Sequence, residues 1–277
     1  MVVRLIKPVL APVLIAQAKR LRRIALEMPE PLGLRHGLAG SGARELAHDS
    51  PNDHTHAGTQ PTGTDASQPS TSRPFSLLVA GDSSAAGVGA ATQDEALASQ
   101  LAQALATRIG RDVQWQLVAQ TGLTSHGLHQ LLLESTLPQF DAAVIIVGVN
   151  DITNNIALSH ALRARSRIVR LLRMRNGVQH IVFPGLPAVE RFPLLPQPLA
   201  WYGGAEARRN NALQRRWATH PQLAQYVSHL NMDGFTHPKL MASDGFHPSP
   251  ILYTMVAAHM AEHIAARVGA AIDLAEK

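Results

Sequence analysis

Residues 74–87 read PFSLLVAGDSSAAG and carry the clearest signal of fold class in the chain. The stretch opens with a short uncharged run, 75–80, which Pro74 and Gly81 bound. A continuous apolar run of this length is typical of a β-strand that is buried on both faces of a sheet. Small and polar residues follow at once, so candidate functional groups stand at the carboxyl end of the predicted strand.

The alternation of apolar runs and longer helical segments continues along the chain. The helical segments lie near 93–109, 126–135, 155–175, 205–219 and 250–268. Strands that alternate with helices at this spacing predict a parallel sheet covered by helices on both faces. After the first strand, the predicted strands are 113–119, 142–147, 178–183 and 226–230, the last with the weakest apolar pattern.

Small polar clusters fall at the ends of three predicted strands and in one late loop. In open α/β sheets, ligands bind beyond the carboxyl ends of the strands. We therefore expect the clusters to meet at one edge of the sheet. They are 81–87 (GDSSAAG), 121–124 (TGLT), 148–151 (GVND) and 244–248 (DGFHP).

These clusters contain the residue types of a serine hydrolase. A serine hydroxyl is a poor nucleophile unless a base accepts its proton, and His247 can be that base for Ser83. Asp244 lies three residues before His247, so a single turn can present both side chains to one place. The alternatives are structural: Ser83 as a helix cap, and His247 with the following proline as a helix start.

The same chemistry needs hydrogen-bond donors for an oxyanion. Removing one preorganised donor raises the barrier by roughly 3 kcal/mol. Glycine lets a backbone N–H approach a substrate closely, which favours Gly122. The side-chain amide of Asn150 can supply a second donor, and the backbone N–H of Ser83 a third.

In these blocks the chain resembles the SGNH (GDSL-like) hydrolase family of esterases, lipases and acylhydrolases. The GDSxxxG block of that family is matched by 81–87, its second-block glycine by Gly122, its GxND block by 148–151 and its DxxH block by 244–247. The resemblance covers about residues 75–268. It implies a three-layer α/β/α flavodoxin-like sandwich with a five-stranded parallel sheet.

The resemblance also implies roles for the site residues. Ser83 would be the nucleophile that forms an acyl-enzyme with a carboxylic ester, His247 the base and Asp244 its orienting partner. The oxyanion hole would consist of the Ser83 N–H, the Gly122 N–H and the Asn150 amide.

Two positions depart from the family pattern. Ser84 stands where the first block usually has leucine, at a position without a catalytic role. The second block usually has an asparagine near its glycine, but 119–121 read AQT before Gly122. No G-x-S-x-G sequence occurs in the chain, which argues against an α/β-hydrolase proper.

The positive charge of the chain is concentrated at its N-terminus. Residues 1–40 contain seven basic and two acidic residues and so account for the entire net charge of +5. Such a distribution does not favour a nucleic-acid-binding fold, whose positive charge covers a face of the folded domain. We expect 1–40 to be a basic N-terminal segment, 41–73 a flexible low-complexity linker and 74–270 the hydrolase domain.

The start of the chain permits two interpretations. Residues 1–18 have the outline of a signal peptide, and the protein would then be exported. The basic run that follows, KRLRR at 19–23, favours instead a retained amphipathic helix that lies on the domain or on an anionic membrane surface. The expected location is then cytoplasmic or peripheral to the membrane.

Composition excludes several kinds of site. Cysteine is absent, so a disulfide scaffold, a thiolate zinc site and a cysteine nucleophile are ruled out. The tract at 53–56 (DHTH) has two histidines without further ligands nearby. We therefore expect no metal and no cofactor.

The substrate is suggested by a long proline-rich loop, 184–204, beside the predicted site. Long loops over strand ends are usually functional, and Phe192, Leu195 and Trp201 would offer an apolar pocket for an acyl chain. Packing of the loop onto the core is the alternative for these residues. The other functions considered are a carbohydrate O-acetyl esterase and a membrane-associated module with a vestigial site.

The six arginines between 163 and 175 are expected to form a solvated helix face.

Overall fold

The computed structural model describes residues 2–24, 28–40 and 73–275. Within them, a six-stranded sheet has the order β1-β3-β2-β4-β5-β6. The strands are β1 (His36–Ala39), β2 (Phe75–Gly81), β3 (Val113–Ala119), β4 (Ala142–Ile146), β5 (His180–Pro184) and β6 (Val227–Leu230).

Strands β2 to β6 pair in parallel, in the flavodoxin-like order that the sequence implied. The predicted count of five strands is wrong, because β1 adds a sixth strand, antiparallel to β3 at the edge. Four residues of mixed polarity in the basic segment give no alternating pattern of their own. Pairing with β3 makes them a strand.

Helices cover both faces of the sheet. They are α1 (Val2–Ile24), α2 (Ser83–Ala86), α3 (Leu97–Ile109), α4 (Ser125–Glu134), α5 (Val149–Thr153), α6 (Leu158–Asn176), α7 (Leu199–Ala218) and α8 (Pro250–Ala275). Residues Leu77 and Val79 of β2 point into the core beneath α3 and α8, and Leu78 and Ala80 into the core beneath α4 and α6. Both sets are fully buried, which explains the uninterrupted apolar run.

Helix α7 begins six residues earlier than the sequence predicts. Gly203 and Gly204 fall in the predicted loop 184–204, but both are buried inside the helix. A side chain at Gly204 would collide with that of Glu190, so the glycine permits close packing of the helix on the preceding loop. The loop between β5 and α7 is therefore shorter than predicted.

Helix α1 lies against α7. Leu14 is buried, and the Gln17 side chain donates to the carbonyl of Gln197 (2.7 Å) and accepts from the N–H of Leu199 (3.2 Å). None of the helices within the described residues combines the length and apolarity that crossing a membrane requires. The linker prediction falls, except for Arg73, on residues outside the described part. The predicted start of the hydrolase domain at residue 74 stays a prediction, although residues 36–39, which lie before it, join the sheet.

Candidate active site

Ser83 stands directly beyond the carboxyl end of β2. Asp82 caps the short helix α2, with its carboxylate accepting from the N–H of Ser84 at 3.1 Å. Ser83 is the first residue of that helix, so its own N–H has no acceptor inside α2. The local structure thus presents both the hydroxyl and the N–H of Ser83 to the edge of the sheet.

Ser83, His247 and Asp244 form one hydrogen-bonded chain. His247 Nε2 lies 2.9 Å from Ser83 Oγ, and His247 Nδ1 lies 2.5 Å from Asp244 Oδ2. Because a carboxylate only accepts, Nδ1 carries the proton and Nε2 is left as an acceptor for the hydroxyl. The structure therefore brings together all three residues that the sequence predicted as catalytic.

The loop around Asp244 fixes the imidazole. Asp244 Oδ1 accepts from the N–H groups of Phe246 (2.9 Å) and His247 (3.0 Å), while its other oxygen contacts the ring. Burial alone would raise the pKa of Asp244, but the hydrogen bonds from His247 and Phe246 outweigh it and hold that pKa below its ordinary value. The Phe246 ring packs edge-on against the His247 ring, with centroids 5.1 Å apart.

Apart from Ser83 itself, the predicted oxyanion residues are Asn150 and Gly122, which lie on different segments. Asn150, in α5, lines the same cavity as Ser83, and its Nδ2 donates to the carbonyl of Leu123 at 3.1 Å. A side-chain amide nitrogen has two hydrogens, so a second donor remains. Gly122 has a φ of +85°, a conformation that favours glycine. Within the described residues, no backbone hydrogen bond uses its N–H.

A buried ion pair that the sequence did not predict holds α5 in place. Asp151 and Arg165 are both buried, with Arg165 Nη2 3.2 Å from Asp151 Oδ2. Asp151 also accepts from the N–H (2.9 Å) and the hydroxyl (2.6 Å) of Ser125. Gly148, at φ +139°, leaves the space that the guanidinium occupies. The pair links the start of α4 to the helix that carries Asn150.

The expectation of a solvated arginine face on α6 is wrong for Arg165, which is 0% exposed. Its guanidinium also donates to Asn210 at 3.0 Å and to Gln214, both on α7. A buried charge persists where partners satisfy it. Those partners come from distant elements, so the arginine pattern of α6 alone could not single out this residue.

An apolar cavity opens beside Ser83. Its walls come mainly from α8, from the loops after β4 and β5 and from the loop around Asp244. The apolar lining includes Leu97, Ile146, Val147, Leu186, Phe192, Met232, Phe235, Phe246, Leu252, Val256 and Met260.

The predicted substrate-binding residues separate in the structure. Phe192 lines the cavity and packs edge-on against Phe246, with centroids 5.2 Å apart. Leu195 and Trp201 are not among the lining residues. Leu195 packs into a small cluster with Phe192, and Trp201 is 37% exposed at the start of α7. A role for Leu195 and Trp201 in substrate binding stays a prediction.

Comparison with known proteins agrees with the geometry. A GDSL-like esterase of Mycobacterium tuberculosis is 31% identical over 189 residues, which cover 65% of this chain and 59% of the relative. A carbohydrate esterase family 2 enzyme with a carbohydrate binding domain, from Corynascus thermopiles (Myceliophthora fergusii), superposes with a TM-score of 0.57 at 16% identity. That match covers 76% of this chain and 69% of the other.

A lipase/acylhydrolase from Enterococcus faecalis superposes with a TM-score of 0.50 at 19% identity, over 70% of this chain and 96% of the other. At such identities these structures bear on the fold alone. Residues 79–255 match the model of the GDSL-like lipase/acylhydrolase family. The fold and the family model agree, and the chain belongs to the GDSL-like lipase/acylhydrolase family.

Proposed function

We propose that the protein is a serine esterase or acylhydrolase that cleaves carboxylic esters through an acyl-enzyme on Ser83. The observation that carries the proposal is the hydrogen-bonded chain from Ser83 through His247 to Asp244 at the wall of an apolar cavity. The family supports the same activity. The intact hydrogen bonds between these three side chains argue against the alternative, a membrane-associated module with a vestigial site.

The proposed reaction follows from the positions of the protons. Ser83 Oγ attacks the ester carbonyl carbon while His247 Nε2 takes the hydroxyl proton. Asp244 stabilises the imidazolium that forms. His247 then gives the proton to the leaving alcohol, and the acyl group stays on Ser83. A water molecule, deprotonated by His247, attacks the acyl carbon. The bond to Ser83 Oγ then breaks, His247 returns the proton to that oxygen, and the acid leaves.

The negative charge that develops on the carbonyl oxygen of the ester is stabilised by hydrogen-bond donors that are already in place. We propose the N–H of Ser83, the N–H of Gly122 and the free amide hydrogen of Asn150 for this role. Every proton and charge in the sequence of steps is handled by a protein group. We therefore propose no cofactor and no metal for the reaction.

We propose that the cavity holds the acyl group of the substrate. Its lining is dominated by aliphatic and aromatic side chains, and Phe192 contributes to it. Burying one methylene group contributes about 0.8 kcal/mol. An apolar wall suits an acyl chain better than a sugar ring, which needs polar partners. A carbohydrate O-acetyl esterase is the alternative.

Rates on p-nitrophenyl acetate, butyrate and octanoate test the acyl pocket. We expect kcat/KM for butyrate to exceed that for acetate about 10-fold, because two more methylene groups are buried. Val256→Phe fills the cavity and is expected to remove the advantage of the longer chains. Met255→Phe, at a 43% exposed position of the same helix, is the control. A strict preference for acetate would favour the carbohydrate esterase instead.

Activity is expected to climb as the pH rises through the neutral range, because the base must be neutral to accept the Ser83 proton. Asp244 stays ionised over this range because its pKa is lowered. Burial, helped by the charge of Asp151, raises the pKa of Asp82 to about 7, so a second group titrates beside Ser83.

Asp82→Asn separates the two titrations, since its amide oxygen can still accept from Ser84 N–H. We expect Asp82→Asn to keep the midpoint pH of the activity profile. A shifted midpoint would assign the titration that controls activity to Asp82. The pH dependence of stability that Asp82 contributes is opposite in sign to that of an ordinary paired carboxylate. The folded state holds the Asp82 proton more tightly, so this residue lowers stability as the pH rises from about 4 to about 7.

We also propose that the basic N-terminal segment binds anionic membrane surfaces. The outer face of α1 exposes Val9, Val13 and Ile15 together with Lys19 and Arg20. Apolar side chains flanked by basic ones are typical of interfacial helices. Flotation with phosphatidylcholine vesicles, with and without phosphatidylglycerol, tests this. Binding only to the anionic vesicles is expected, and binding to neither would contradict the proposal.

A further inference from the structure

The loop that carries Gly122 is held by a part of the chain that lies outside the matched family segment, 79–255. We call residues 30–39 the N-terminal strap. Its second half is β1, paired with β3, and the carbonyl of Arg35 accepts from the N–H of Leu117 at 2.7 Å. Arg35 Nη1 donates to the carbonyl of Ala119, also at 2.7 Å. The strap thus follows β3 to its carboxyl end.

At the carboxyl end of β3, the carboxylate of Glu30 binds Thr121, the residue before Gly122. Glu30 Oε1 accepts from both the N–H (2.8 Å) and the hydroxyl (2.7 Å) of Thr121. Its other oxygen pairs with Arg35, so the carboxylate is itself held in place. Burial alone would raise the pKa of Glu30, but the bonds from Thr121 and Arg35 outweigh it and lower that pKa.

After Gly122, the loop is held through Leu123, whose N–H donates to the carbonyl of Gln120 at 3.4 Å and whose carbonyl accepts from Asn150 Nδ2 at 3.1 Å. Thr121 and Gly122 are exposed, and no atom lies within 4 Å of the position that a Cβ of Gly122 would occupy. The N–H of Gln120 donates to the carbonyl of Gly81 at 3.2 Å, before the loop turns. The orientation of the Gly122 peptide therefore depends strongly on the two bonds from Thr121 to Glu30.

We propose that Glu30 is a positioning residue for ester hydrolysis, which aims the Gly122 N–H at the oxyanion through Thr121. This inference rests on the proposed function. Residues 119–121 read AQT, and the carboxylate that holds Thr121 comes from the N-terminal strap.

Steady-state kinetics of Glu30→Ala, with p-nitrophenyl butyrate, test the proposal. We expect kcat to fall about 10-fold with KM within about two-fold. The loss stays below the ~10²–10³ that follows removal of an oxyanion donor, because this donor is displaced and not deleted. Inhibition by butylboronic acid, which forms a tetrahedral adduct on serine, should weaken by a similar factor. Glu30→Gln keeps an acceptor for Thr121 and should recover part of kcat.

The matched control is Glu134→Ala, which removes an exposed carboxylate from α4. The strap keeps its backbone bonds in Glu30→Ala, among them the 2.8 Å bond from Gln93 N–H to Leu32 O, so the melting temperature should stay close to that of the parent. An unchanged kcat, a loss confined to KM, or an equal loss in Glu134→Ala would overturn the positioning role.

Hydrogen exchange distinguishes failure of this inference from failure of the proposed function. Glu30→Ala should speed exchange of the amides at 119–123 and leave those of α8 unchanged, whatever reaction the protein catalyses. No change at 119–123 would overturn the anchor itself. A parent protein without activity on any ester would contradict the proposed function alone.

Discussion

Ser83→Ala is expected to lower kcat for ester hydrolysis by a factor on the order of 10⁴ or more. The substitution removes Ser83 Oγ, the protein atom that the proposed reaction joins to the acyl group. His247 then has no hydroxyl to deprotonate, although its bond to Asp244 stays. The fold should persist, because α2 keeps its cap on Asp82 and the lost hydroxyl lies at the cavity wall.

Ser84→Ala is the matched control, one residue further along the same helix. The bond that caps α2 uses the backbone N–H of Ser84, which alanine retains. Most of the activity should remain, with an unchanged far-ultraviolet circular dichroism spectrum in both variants. If Ser84→Ala were the inactive variant and Ser83→Ala the active one, the assignment of the nucleophile would be wrong.

Asn150→Ala is expected to lower kcat by roughly 10²–10³ and to change KM little. The negative charge that the amide meets develops only in the transition state, so ground-state binding is hardly affected. The bond from Asn150 to the carbonyl of Leu123 is also lost, which loosens the Gly122 loop in the same direction.

Asn154→Ala is the control for Asn150. Asn154 follows α5, is exposed, and donates to the carbonyl of Asn150 at 2.8 Å, so it shares the backbone environment without facing the cavity. We expect it to keep kcat within about two-fold. Normal turnover with a raised KM in Asn150→Ala would assign Asn150 to substrate binding.

The sequence predicted most of the sheet because its signals are local. Strands β2, β4 and β5 are largely apolar runs closed by glycine or proline, and burial on both faces makes these runs nearly continuous. The polar clusters could be placed together for the same reason, since parallel strands bring their carboxyl ends to one edge. The structure does bring the side chains of Ser83, Asp244 and His247 to this edge.

What the sequence missed depends on partners that are distant along the chain. β1 is a strand only because β3 offers an edge. Arg165 is buried because Asp151, Asn210 and Gln214 satisfy its guanidinium. Glu30 reaches Thr121 across 91 positions. The cavity beside Ser83 takes its lining from α8 as well as from the proline-rich loop, and this packing is not encoded in any single segment.

The covalent intermediate is the central claim, and a fluorophosphonate probe tests it most directly. The probe traps an activated serine as a stable adduct, which mass spectrometry of the digested full-length protein assigns to one residue. We predict a single adduct on Ser83, formed more slowly when His247→Ala removes the base, and absent from Ser83→Ala. An adduct on another residue, or labelling that persists in Ser83→Ala, would contradict the account.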